Sequence, residues 1–166
     1  LVIDIAKLKT HGMMGYSGAV KNLFGVVPGL LKPELHSRYP EKEPFAEMLV
    51  DLCEYVHPDF SIIDAIDAME GDGPTGGQKR FVGALVGSES PYEADMVGAK
   101  LIDMKPEEIL ALKNAQELGL CAGKLSEIEV FGDDFENIVV HDFKRPAASI
   151  LRHAFRSSCS RLQREF

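Results

Sequence analysis

The sequence predicts an α/β fold, with a mostly parallel sheet flanked by helices in a three-layer arrangement, and three observations carry that prediction. Strand-like stretches alternate with helical ones along 166 residues. A strand at residues 2–8 runs through a glycine turn into the apolar positions Ala19, Val20, Leu23 and Phe24. Phe45, Met48, Leu49, Leu52 and Val56 then recur at the spacing of an amphipathic helix, and Pro58 marks its stop.

Taken in order, residues 12–18 form the first turn, where Ser17 is placed to cap the helix that follows. Residues 25–44 hold four prolines and two glycines and read as a long loop containing His36. Residues 60–66 and 81–86 read as strands on either side of a glycine loop. Ser90-Pro91-Tyr92-Glu93 is a capping box that opens a helix to about Ile102, and Pro106-Glu107-Glu108 opens another that Gly119 stops. Short strands are expected at 128–131 and 138–140. One α/β domain over residues 1–145 is therefore expected, followed by a helical or frayed tail at 146–166. Because LVIDI at the start reads as a strand already under way, the domain is expected to be the C-terminal part of a larger one, truncated at its N-terminus.

Composition narrows the function. The net charge of −8 is uneven, because residues 1–40 carry five basic side chains against two acids and residues 143–166 are also basic. The acidic middle argues against nucleic acid as a partner, whereas the basic N-terminal part suits a small anion. No apolar run approaches the ~20 residues of a membrane span. Three cysteines, Cys53, Cys121 and Cys159, lie far apart with no Cys-x-x-Cys, which points to a reducing, cytoplasmic location and to no disulfide framework or metal cluster in this stretch.

Two constellations could carry chemistry. In "KLKTHGMMGYSGAVKNLFGVVPG", Lys9, His11, Tyr16, Ser17 and Lys21 cluster around one turn between a strand end and a helix start, where α/β proteins bind ligands. Lys21 in the first turn of a helix opposes the dipole unless an anion neutralises it. His36 joins this group from the following loop. In "DAIDAMEGDGPTGG", Asp64, Asp67, Glu70 and Asp72 leave a strand end and could hold a hard cation such as magnesium, while the glycines let backbone approach a phosphate. "GDGPTGGQK" is not a Walker loop. Glu93 and Asp95 are assigned structural places at the start of their helix, and Cys53 is expected in the core.

The first motif, "DAIDAMEGDGPTGG" and "SPYEADMVGAKLI", in this order, resemble the domain-of-unknown-function family three-six-two found in iron–sulfur proteins, over roughly residues 1–140. The resemblance implies a ferredoxin-like module with two 4Fe-4S clusters outside this stretch. More distantly, His11 followed ten positions later by Lys21 in a Gly-Tyr-Ser-Gly context is similar to the cofactor-binding motif of nickel-dependent lactate racemases. That similarity implies Lys21 as the tether of a nickel-pincer-like nucleotide, His11 as catalytic acid/base and His36 as a metal ligand. The expected function is thus an anion- or cofactor-binding part of an iron–sulfur-associated redox or metalloenzyme, with Lys9, Tyr16, Ser17 and Lys21 on the cofactor and Asp64 and Asp67 as a possible second metal site. The alternative is a non-catalytic domain that docks a ferredoxin-like module to redox partners.

Overall fold

In the computed structural model, which describes residues 1–147, four strands form one mixed sheet in the order β2-β1-β3-β4. The strands are β1 (Ile3–His11), β2 (Gly15–Ser17), β3 (Phe60–Glu70) and β4 (Gln78–Ser88). The helices are α1 (Ala19–Asn22), α2 (Leu31–Arg38), α3 (Lys42–Val56), α4 (Pro91–Leu101) and α5 (Leu110–Glu117). The α/β class holds.

The strand directions differ from the expectation of a mostly parallel sheet. Only β1 and β3 run parallel, with Ile3 opposite Phe60 and Lys7 opposite Asp64. β1 with β2 and β3 with β4 are antiparallel. The reason is connection length, since a parallel neighbour needs a crossover of about a dozen residues or more. The chain from β1 to β3 supplies one through α1, α2 and α3. The glycine loop does not: β3 extends to Glu70 and β4 starts at Gln78, so the loop is a hairpin turn. Residues 12–14 make the other hairpin, with Gly15 at φ 79° where a side chain would be strained.

Burial alternates along β1, β3 and β4, with Ala6, Leu8, Thr10, Ile63, Ala65, Ala68, Val82, Ala84 and Val86 facing a core shared with the helices. Leu8, Ile63, Phe45, Leu49, Met96, Leu101 and Leu112 are fully buried there. Gly98 lets α4 pack closely on the sheet; a Cβ there would stand 2.5 Å from the Tyr16 hydroxyl. The opposite sheet face carries Ile5 at 67%, Phe81 at 67% and Leu85 at 63% exposure. Among the described residues the sheet is thus covered on one face, giving two layers where three were expected.

Three further expectations are corrected. The loop at 25–44 contains α2, which has no fully buried residue and rests on the core through the partly buried Leu35. Residues 128–131 and 138–140 form no strand; the segment passes β4 without a ladder and is shaped by 3-10 turns at Leu125–Glu127 and Phe135–Ile138. The helix from Pro106 is a 3-10 turn followed by α5, and Gly119 ends it at φ 71°. The capping role of Ser90 holds, as its Oγ accepts from Glu93 N–H. Most of the expected tail at 146–166 lies outside the described residues.

Candidate functional site

The carboxyl end of β1 and the chain leaving β2 bring the basic side chains of Lys9, His11 and Lys21 together. His11, half-buried, feels the charges of Lys21, Lys9, His36 and Lys42. Burial first, then these neighbours, push its pKa down to about 4. The His11 Nδ1 accepts from Met13 N–H at 3.2 Å and Met14 N–H at 3.3 Å. A nitrogen that accepts two backbone donors carries no proton, so the neutral ring holds its proton on Nε2 and offers that N–H as a donor.

Lys21 is half-buried on α1, and its Nζ lies 5.5 Å from the Phe24 ring centroid and 5.8 Å from that of Phe45. Burial, then Lys9 and Lys32, lower its pKa to about 8. The ring faces attract a cation, but near the ~6 Å limit this attraction is too weak to offset desolvation and two like charges. Among the described residues no carboxylate forms an ion pair with Lys9 or Lys21. His36 stacks on Phe45 with centroids 4.7 Å apart and planes at 10°, and meets Phe24 edge-on.

Behind this cluster stands a residue that sequence reasoning placed only as structural. Asp95, 2% exposed on α4, accepts from Ala19 N–H at 2.6 Å and Val20 N–H at 3.1 Å. The helix carrying Lys21 is therefore capped from 75 residues away, and Ser17 makes no cap; Gly18 holds that position. Burial, partly offset by these donors, raises the Asp95 pKa to about 7. Tyr16 donates to the same carboxylate at 3.3 Å and is buried, as is Ser17. Tyr16 and Ser17 thus sit in the core, whereas Lys9, His11, Lys21 and His36 share the basic cluster. The α1 amides expected to bind an anion are already taken by Asp95. In the sequence the hint was a lone acid between Ala94 and the apolar pair Met96-Val97.

The family model described as domain of unknown function (DUF362) matches residues 1–100. The chain belongs to the DUF362 family. A thylakoid-associated protein of Synechocystis sp. is 38% identical over 121 residues, which cover 72% of this chain and 38% of that protein. The DUF362 chain thus spans well under half the length of this relative. No solved structure matches.

The acidic constellation of the DUF362 chain does not assemble. Asp64 pairs with Lys7 at 2.5 Å and Asp67 with Lys79 at 2.8 Å. Glu70, buried, accepts from Lys144 N–H, and Asp72 accepts from Ala147 N–H. Among the described residues no group of three or more His, Cys, Asp or Glu could hold a metal ion, so neither Asp64 with Asp67 nor His36 has a ligand set around it. The glycine loop instead buttresses β1: Gly12 N–H donates to Gly73 O at 2.9 Å, and Thr10 Oγ1 donates to Gly71 O at 2.7 Å. A Cβ on Gly73 would lie 2.0 Å from Thr10 O. Both glycine turns of the sequence thus meet beside His11.

A cleft of about 600 Å³ lies elsewhere, along the free edge of β4, between Gly83–Ser88 and residues 128–133. It contains none of the expected site residues, and its lining is mainly apolar with Glu93, Glu129 and Asp133. The basic cluster is the better candidate because the Lys21 charge is partly desolvated and, among the described residues, neither it nor Lys9 is ion-paired to a carboxylate, which costs free energy that an anion would return. Cys53 is buried as expected and Cys121 is partly so; both are free, and burial pushes both thiols up, to about 12 and about 11. No helix among the described residues is long and apolar enough to cross a membrane.

Proposed function

We propose that this DUF362 chain binds a small anionic cofactor or substrate at the His11–Lys21 cluster, as part of an iron–sulfur-associated redox or metalloenzyme. The observation that supports the reading is that burial and then like charges depress both groups, Lys9 and Lys32 acting on Lys21 and Lys21 and Lys9 on His11, while among the described residues no carboxylate is ion-paired to Lys9 or Lys21. Lys9 and Lys21 supply charge, and the His11 Nε2–H supplies a directed donor. The iron–sulfur association rests on the family resemblance. In that setting a lysine of lowered pKa is suited to holding a cofactor covalently, as the racemase motif implies. The described residues bring no further donors to His36, so no metal step is drawn through it. A cytoplasmic location remains part of this reading. The thylakoid association belongs to the relative by name, and association with a membrane needs no span.

Calorimetric titration of the 166-residue chain with inorganic phosphate and pyrophosphate tests the reading. Binding is expected, and Lys21→Met should weaken it about tenfold, equivalent to about 1.4 kcal/mol. Absence of heat, or a Lys21→Met chain that binds as before, would overturn it. If the domain instead only docks a ferredoxin-like module, the substitution would weaken complex formation in a salt-dependent way and leave anion affinity unchanged.

A further inference from the structure

The placement of Lys21 supports more than charge recognition. Its Nζ lies near the Phe24 and Phe45 rings and beside Lys9 and Lys32, and among the described residues no carboxylate pairs with it, so it is partly shielded from water and lacks a counter-charge there. An amine in such surroundings becomes a nucleophile, because its lone pair is free in a larger fraction of molecules. With a pKa near 8, about a tenth of the side chains are neutral at pH 7, against fewer than about one in a thousand for an ordinary lysine. Asp95 holds the start of α1, which fixes the turn that carries the amine. The neighbouring cations and the His11 Nε2–H would retain an anionic group next to it.

We propose that Lys21 forms an imine with the carbonyl carbon of a small aldehyde or ketone that also carries a carboxylate or a phosphate. This rests on the anion-binding reading and adds a reacting group to it. The amine lone pair attacks the carbonyl carbon, and the carbonyl oxygen takes up a proton as the nitrogen loses one. The resulting carbinolamine then releases its hydroxyl, which leaves as water with the remaining nitrogen proton, and the carbon–nitrogen double bond closes. One water is released, and no oxidant or reductant is consumed. The anionic group on the substrate supplies the selectivity, because its charge relieves the repulsion between Lys21 and its neighbours Lys9 and Lys32 while the carbonyl is held at the amine.

The experiment treats the 166-residue chain at neutral pH with glyoxylate, glycolaldehyde phosphate or uncharged glycolaldehyde, each with sodium cyanoborohydride to reduce any imine to a stable amine. Peptide masses then report the rate at each lysine. Lys21 should label about tenfold faster than Lys79, although the Lys79 side chain is 72% exposed, and only with an anionic aldehyde. The glyoxylate and phosphate arms tell a carboxylate substrate from a phosphorylated one. Inorganic phosphate should slow labelling, and Lys21→Arg, which keeps a cation without a nucleophilic amine, should lose the fast site. Equal rates at Lys21 and Lys79, or equal preference for the uncharged aldehyde, would overturn the imine. If phosphate still binds by calorimetry in that case, the anion site stands and only the nucleophile fails; if phosphate does not bind, the anion reading fails first.

Discussion

Lys21 helps to hold the proton affinity of His11 down, and this coupling is open to direct measurement. Lys21 is the largest single charge acting on His11 after burial itself. Removing that charge in Lys21→Met should raise the His11 pKa from about 4 toward its ordinary 6.5, read from the imidazole carbon-bound proton shifts in an NMR titration. An unchanged midpoint would show that the two side chains do not share a site. Saturation with phosphate should move the same midpoint upward, since an anion favours the imidazolium. The ring's tautomer also limits its chemistry: with Nδ1 engaged by two backbone amides, His11 serves first as a donor through Nε2. The pattern of residue types around residues 9–21 was legible because lysine and histidine spacing is local. The inward turn of Tyr16 and Ser17 was not, because one strand position decides which face a side chain takes and β2 is only three residues long.

At the scale of the element, α1 shows why a four-residue helix persists at all. Its own sequence supplies no side-chain cap, and a single turn is unfavourable in isolation. Asp95 supplies the missing acceptor, and the approach is close enough that a Cβ on Gly18 would stand 2.1 Å from Asp95 Oδ1. Gly18→Ala should therefore cost about 2–4 kcal/mol by urea denaturation, through displacement of the carboxylate. A cost under about 0.5 kcal/mol would mean that the cap is dispensable. The hairpin β3–β4 makes a parallel point about legibility. The hydrophobic pattern located both strands, but their ends were hidden in charged residues such as Glu70, Lys79 and Arg80, which interrupt the apolar pattern. The loop length, and with it the antiparallel direction, depended on those ends.

At the scale of the whole molecule, two buried titrations act on stability in opposite directions. The folded pKa of Asp95 is raised to about 7, so its contribution is fully present below about pH 4 and is lost as pH rises toward 7. The folded pKa of His11 is lowered to about 4, so its contribution is present above about 6.5 and is lost as pH falls toward 4. Between pH 4 and 6.5 the two slopes oppose each other. Asp95→Asn should leave stability rising with pH across that window, and His11→Gln should leave it falling, as measured by denaturation midpoints at constant salt; identical slopes in both variants would exclude the assignment. The two faces of the sheet give a second global contrast. Leu8→Ala on the covered face should cost about 2–5 kcal/mol, while Ile5→Ala on the open face should cost less than about 1 kcal/mol. Similar costs would show that the open face is covered in solution.

By itself the sequence determined the class of fold, the amphipathic α3, the Ser90 start of α4 and the clustering of Lys9, His11 and Lys21, because each depends on residues within a few positions of one another. Only the tertiary structure decided that two of the three strand pairings are antiparallel, that Asp64 and Asp67 are neutralised by Lys7 and Lys79, and that Asp95 caps the helix bearing Lys21. Those outcomes join residues up to 76 positions apart, and such pairings are set by how elements pack against each other, which leaves no periodicity in the chain to read.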